Sequence, residues 1–466
     1  MERRFFFSFK GSKNVLRGLE GLFELLVLTL LYYWVWRQCY ADVDFPRYLG
    51  YGKFVLMGVY VILTAVLFQS FDGFQFGHLR LMDIIVGQWI ALLFVNFITY
   101  FQLCLIANVM IPCWQMLLLQ AIQCVAVVIL PYIYSTIFHK LYSAHRMIMV
   151  YNKEASVTLK IKMETRPDKY RIQKLISIDE GLEAVCREVS TYDTVILNDL
   201  PAQIRNDILK YCYDHGIRTY VTPKLSDIIV RGAEDICLFD TPLLLVRGAG
   251  LTLPQRVLKR AMDIVISLIV MVVALPVMLI VALAIKLDDG GPVFYKQERV
   301  TLNGKKFSIL KFRSMIVDAE KDGKPRAATE RDPRITRVGR VIRALRFDEL
   351  PQMLNILKGD MSVVGPRPER LQYVEKYKKD IPEFQYRMKV KGGLTGYAQI
   401  YGKYNTTAYD KLRLDLMYIE NYSVFLDIKL ILMTVRILFK KESTEGFAAE
   451  KNAADTEKEE ALTGGR

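Results

Sequence analysis

This 466-residue chain has no G-x-G-x-x-G loop after any candidate strand, so dinucleotide binding has little support. Its seven cysteines (Cys39, Cys104, Cys113, Cys124, Cys186, Cys212 and Cys237) form no C-x-x-C pair, and several lie in apolar runs. They read as free thiols rather than a disulfide frame or a zinc site. The four histidines, His78, His139, His145 and His215, show no metal-ligand spacing, and none is given a role. There is no internal repeat. No zinc-finger, ribonucleoprotein or helix-turn-helix signature accompanies the net charge of +14, so no nucleic-acid partner is expected. Lipid headgroups and a phosphorylated substrate account for the charge more simply.

What is abundant is apolar sequence. Hydrophobic residues make up 52% of the chain and cluster, which favours a membrane protein over a greasy globule. Four long apolar runs occupy 18–36, 54–71, 83–105 and 112–136. Each is long enough to cross a hydrocarbon core of about 30 Å as a helix. The first is too long for a signal peptide and has no small-x-small cleavage site after it. Arg3, Arg4, Lys10, Lys13 and Arg17 precede it, which puts the N-terminus in the cytoplasm. Residues 1–145 are therefore expected to form a four-helix transmembrane bundle that returns the chain to the cytoplasm near His139, Lys140 and Arg146.

Residues 146–252 change character. β-rich runs (Ser156–Met163, Thr194–Leu197, Arg218–Val221) alternate with helical patterns (Ile178–Val189, Ala202–Gly216), the signature of a small Rossmann-like α/β domain with a parallel sheet. A structural or regulatory role suits it better than nucleotide binding. A fifth apolar run, 264–285, opens the region 253–447. Cations flank both of its ends (Arg256, Lys259 and Arg260, then Lys286, Lys296 and Arg299), and Pro276 sits at its centre. Both features favour a re-entrant membrane helix over a spanning one. It would lead into an α+β catalytic domain on the cytoplasmic side. The tail 448–466 lacks apolar periodicity and is expected to be disordered. The fold class is thus membrane α plus α/β.

The chemistry concentrates in FDELPQMLNILKGDMSVVGPRPE, residues 347–369. Attack on a pyrophosphate requires cations to neutralise its charge and a nucleophile held in line with the breaking P–O bond. Asp348 and Glu349 supply adjacent carboxylates. Pro351 disfavours the α conformation at Leu350 and suits the first turn of a new helix. The dyad would then lie just before a helix N-terminus, a natural phosphate site. Upstream, FSILKFRSM (307–315) reads as an edge or half-buried strand whose alternation puts Lys311 and Arg313 on one face.

These strings closely resemble the bacterial sugar transferase family, the large monotopic phosphoglycosyl transferases that begin surface-polysaccharide synthesis. The likeness covers about residues 254–447. It also includes GPVFYKQER (291–299) and KGGLTGYAQIYG (391–402), where Tyr401 stands in place of the asparagine of many relatives. The resemblance implies a bacterial cytoplasmic-membrane enzyme that moves sugar 1-phosphate from a UDP-sugar to undecaprenyl phosphate and releases UMP. It makes Asp348 the catalytic nucleophile and Glu349 its catalytic partner. The two carboxylates would be the ligands of a magnesium ion. It places Lys311, Arg313, Arg367 and Arg299 on the substrate. A homodimer is left open. Three rivals remain. A non-enzymatic scaffold or regulator of polysaccharide assembly would have a decayed site. A dehydratase would need a glycine-rich loop and a Tyr-x-x-x-Lys pair in 150–250. A processive glycosyltransferase would release UDP.

Overall fold

The computed structural model describes residues 2–40, 51–142, 145–152, 156–167, 169–248, 250–317, 319, 332–402 and 406–438. The expected disordered tail, 448–466, lies outside the described residues. The chain divides into two compact units, Met1–Pro223 and Lys224–Arg466.

The first unit begins with four long helices: α1 (Glu2–Cys39), α2 (Gly52–Ser70), α3 (Leu81–Ala107) and α4 (Trp114–Leu141). A buried polar cluster joins all four. Gln123 of α4 donates to the Tyr60 hydroxyl of α2 at 2.7 Å and to the Leu28 carbonyl of α1 at 3.3 Å. Asn96 of α3 donates to the Gln123 and Gln120 side chains at 2.9 and 2.7 Å. In an apolar surrounding, where no water offers an alternative partner, such bonds fix helix register at a net value of about 0.6 kcal/mol each. Tyr32 stacks on Tyr60 with ring centroids 4.2 Å apart.

An α/β layer follows: β1 (His145–Tyr151), α5 (Ser156–Glu164), β2 (Tyr170–Ser177), α6 (Leu182–Val189), β3 (Thr194–Asn198), α7 (Ala202–Asp214) and β4 (Arg218–Val221). The four strands form one sheet of order β2-β1-β3-β4, parallel throughout. Met147–Val150 and all of β3 are buried, as expected of inner strands covered on both faces. The strand expected at Ser156–Met163 is helix α5 instead. β1 and β2 are parallel neighbours, so the chain must cross over between them, and a helix makes that connection. Its Leu159 and Met163, four residues apart, pack on the Met147, Met149 and Ile196 cluster, whereas Ile161 is 60% exposed.

The second unit runs through α8 (Leu225–Arg231), a hairpin of β5 (Glu234–Leu238) and β6 (Thr241–Leu245), α9 (Leu253–Asp289), β7 (Phe294–Val300), β8 (Lys306–Phe312), α10 (Arg337–Ala344), α11 (Gln352–Lys358), β9 (Ser362–Val364), α12 (Leu371–Asp380), β10 (Gly393–Thr395), α13 (Tyr397–Tyr401), α14 (Ala408–Glu420) and α15 (Val424–Leu438). β7 and β8 pair antiparallel, and β9 and β10 pair parallel. Its core includes Phe307, Met353, Ile356, Val364, Phe384, Leu416 and Leu430.

Helix α9 is continuous through Pro276 and, at 37 residues, is about 55 Å long. A capping box of Thr252 and Gln255 opens it, and Gly290, at φ 71°, closes it. Its first turns are locked into the core. Lys259 pairs with Asp427 at 2.6 Å in a buried contact. Arg260 donates to the Ile356 and Leu357 carbonyls at the end of α11. Asp263 accepts from Ser362 Oγ and Val363 N, each at 2.9 Å. Its last turns pack on a second, smaller cluster of the same unit, with Val281 and Ile285 against Phe312 and Ile342. The opposite side is apolar and open: Val272 and Val273 are each 73% exposed, and Ile280 and Leu283 are exposed too. Among the described residues, four helices are long and apolar enough to cross a membrane: α2, α3, α4 and α9. The chain is a membrane protein.

Candidate active site

The acid pair sits in a single tight turn between two helices. Arg346 leaves α10 in the left-handed conformation, with φ 56°, and residues 347–349 make one 3-10 turn. Pro351 caps α11. Leu350 takes the α conformation (φ −55°, ψ −39°), contrary to the preference set by the proline after it. Its side chain packs on the Phe312–Ile342 cluster, and that burial offsets the local clash. The dyad therefore runs straight into α11 without an extended break.

Strand β8 brings Lys311 to this turn. The outer edge of β8 is held by α11 rather than by another strand. The Asn355 amide donates to the Ser308 carbonyl at 2.8 Å, and its oxygen accepts from Leu310 N at 2.9 Å. Lys311 Nζ then reaches Glu349 Oε1 at 2.9 Å. From the other side, Arg367 Nη2 donates to the same oxygen at 3.2 Å. Arg367 stands in the Gly365–Pro368 turn. That turn is pinned by bonds from Gly365 N to Thr395 O (2.8 Å) and from Gly393 N to Pro366 O (2.9 Å). Cβ atoms on Gly365 or Gly393 would collide with the facing backbone. The close approach these glycines permit here is of one strand to another. Arg387, which is buried, donates to the Arg367 carbonyl at 3.0 Å and pairs with Asp415 at 2.8 Å.

The two carboxylates respond oppositely to this setting. Burial alone would raise Glu349, but Lys311 and Arg367 outweigh it and hold Glu349 well below the usual carboxylate range. Desolvation, and then the neighbouring Glu349 charge, push Asp348 up, against the pull of Lys311, Arg343 and Arg346. Glu349 Oε1 is committed to two cations. Among the described residues, Asp348 has no ion pair or side-chain hydrogen bond.

The structure thus gathers Asp348, Glu349, Lys311 and Arg367. Arg299 lies beside them: it donates to the Pro368 carbonyl at 3.3 Å, and desolvation, with Arg367 nearby, lowers it to about 10. Arg313 goes elsewhere. Its backbone N–H still bonds the Val293 carbonyl at 2.9 Å, one step beyond the Phe294–Phe312 pair, but its side chain takes another partner. The Arg313 side chain is buried against Asp289 at the end of α9, in space left by the missing side chain of Gly291. Arg387 and Asn355, which steady the site, were not singled out from the sequence; a buried arginine or asparagine far along the chain carries no local signature. Among the described residues, no cluster of three or more His, Cys, Asp and Glu could cage a metal ion.

A model of the bacterial sugar transferase family matches residues 254–441. The UDP-N-acetylgalactosamine-undecaprenyl-phosphate N-acetylgalactosaminephosphotransferase of Aeromonas hydrophila is 43% identical over 41% of this chain and 46% of its own length. The UDP-glucose:undecaprenyl-phosphate glucose-1-phosphate transferase of Escherichia coli is 42% identical over 44% of each chain. A protein of the same name from Caulobacter vibrioides is 40% identical over 44% of this chain and 78% of its own length. This chain belongs to the bacterial sugar transferase family. The alignments span about half the length of the first relatives. The matched region contains the whole acid–cation cluster and all of α9 but its first residue.

Proposed function

We propose that this chain transfers a sugar 1-phosphate from a UDP-sugar to undecaprenyl phosphate, releasing UMP and leaving a sugar-diphospho-lipid. The observation that carries the reading is the convergence of Lys311 and Arg367 on Glu349 beside an uncommitted Asp348. The names of the relatives supply the classes of donor and acceptor.

In the first step a carboxylate oxygen of Asp348 bonds to the sugar-bearing phosphorus. The pyrophosphate P–O bond breaks, and UMP leaves with its electron pair. In the second step an oxygen of the lipid phosphate attacks the same phosphorus and frees the Asp348 carboxylate. Arg367, 43% exposed and planar, suits two oxygens of one phosphate. Lys311 supplies a compact positive charge to the same region. Asp348 and Glu349 fit a magnesium ion, which takes one or two carboxylates and completes its shell with water and substrate phosphate. When bound, it would neutralise pyrophosphate charge.

Helix α9 acts as a re-entrant element in this reading. Both of its ends pack on the same catalytic fold, which supports entry and exit on one membrane face. Its exposed apolar side would bring the lipid to the dyad from the cytoplasmic leaflet.

The test is nucleotide release by the purified chain in detergent with undecaprenyl phosphate, magnesium and a panel of UDP-sugars. UMP release with at least one donor, abolished in Asp348→Asn, is the expected result. UDP release, or turnover that survives Asp348→Asn, would overturn the mechanism.

A further inference from the structure

The strand that leads to Arg367 is short. β9 has three residues, Ser362–Val364, and among the described residues its one strand neighbour is β10. Ser362 N and Gly365 N donate to that neighbour, to the Gly392 and Thr395 carbonyls at 2.9 and 2.8 Å. The N–H between them on Val363 finds its acceptor elsewhere. Val363 is buried, and a buried N–H left without a partner is costly.

Helix α9 supplies the acceptor. Asp263 Oδ1 accepts from Val363 N and from Ser362 Oγ, each at 2.9 Å. Asp263 and Ser362 are both buried, so these bonds are shielded from competing water. One turn earlier on the same helix, Arg260 donates to the Ile356 and Leu357 carbonyls, each at 2.6 Å. Those carbonyls lie near the carboxyl end of α11, the helix that follows the acid pair. Residues three apart on a helix share a face. One face of α9 therefore holds the helix attached to the acid pair and the strand attached to Arg367. The two halves of the site meet where Arg367 Nη2 donates to Glu349 Oε1 at 3.2 Å.

We propose that Asp263 is a positioning residue for Arg367. Acting through β9, it sets where the Gly365–Pro368 turn stands relative to the acid pair, and Arg260 fixes the other half of the same frame. The inference rests on the transfer reading, in which Arg367 meets a substrate phosphate.

The experiment uses the full-length chain in detergent as wild type, Asp263→Ala, Asp263→Asn, Arg367→Gln and the double variant Asp263→Ala/Arg367→Gln. Asparagine keeps an acceptor oxygen at Oδ1 and alanine does not. Hydrogen exchange is followed in a peptide covering 362–368, with β3 as the reference for intact folding. Exchange in 362–368 should quicken in Asp263→Ala, stay near wild type in Asp263→Asn and leave β3 unchanged. In UMP release, kcat/KM should fall by about tenfold or more in Asp263→Ala, the size of coupling within one bonded network, and recover in Asp263→Asn. In the double variant, Asp263→Ala should add no more than about twofold to the loss from Arg367→Gln alone, because changes that act through one group do not add. Unchanged exchange in 362–368, or a fully additive loss in the double variant, overturns the proposal. If Asp263→Ala does not fold, Ser362→Ala removes one of the two bonds and is read in the same way. A wild-type chain that releases no UMP would overturn the transfer reading, and exchange would still decide whether Asp263 holds the turn.

Discussion

At the scale of single residues, the site depends on two adjacent acids shifted in opposite directions. In the proposed mechanism Asp348 attacks phosphorus as its carboxylate, and burial and Glu349 raise it above an ordinary aspartate. Activity should therefore fall as pH drops through that raised value, and the acid limb of kcat/KM should lie above the range of a solvated aspartate. Lys311 pulls Asp348 down. Replacing it by Met removes this pull, so Lys311→Met should move the acid limb to still higher pH. It should also cost about a hundred- to a thousand-fold in kcat/KM, the loss typical when one charge-stabilising group is deleted. A pH–rate series on both proteins checks the two effects together. An acid limb that stays in place in Lys311→Met would separate the lysine from Asp348. The dyad, Lys311 and Arg367 were legible because they fall in one short string and one strand. Arg313 parts from Lys311 because its guanidinium pairs with Asp289, 24 residues away at the end of α9, a partner that local alternation does not reveal. Arg387 could not be found: its partners, Arg367 and Asp415, lie 20 and 28 residues away, and only the folded chain brings them together.

At the scale of elements, the position of Arg367 depends on how closely β9 and β10 approach. Gly365 and Gly393 face each other with no room for a Cβ on either. Gly393→Ala must part the two strands, with a stability loss of about 1–3 kcal/mol. Because the Gly365–Pro368 turn hangs on the same two backbone bonds, activity should fall further than stability alone explains. Denaturant unfolding together with kcat/KM at a temperature where the variant is folded tests this. A stability loss with full residual activity would show that the turn holds Arg367 without help from β10. At this scale the sequence was informative where pattern and topology agree, as in β3, β4 and α7. It misled at Ser156–Met163, where a β-rich run suggested a strand. The parallel pairing of β1 with β2 requires a crossover there, and long-range topology prevailed over local periodicity.

At the scale of the whole molecule, the open question is the side of the membrane to which α9 returns the chain. Length does not decide it. At about 55 Å the helix exceeds a hydrocarbon core of about 30 Å and could cross. Packing argues the other way. Lys259, Arg260 and Asp263 bind the second unit's core near one end of α9, and Val281 and Ile285 pack on Phe312 and Ile342 of the same unit near the other. A spanning helix would have to tear one of these sets away. Parting Lys259 from buried Asp427 would cost about 3–5 kcal/mol on its own. Exposed Cys237 precedes α9, and exposed Lys296 follows it. In a background with the other cysteines replaced, a membrane-impermeant maleimide should label neither Cys237 nor Lys296→Cys in intact cells, and both after permeabilisation. Exposed Cys113, between α3 and α4, should label in intact cells when it is the lone cysteine, which establishes that the reagent reaches the outer face. Labelling of Lys296→Cys in intact cells while Cys237 stays protected would make α9 a crossing helix. The contacts at one of its ends would then have to belong to some other arrangement of the chain.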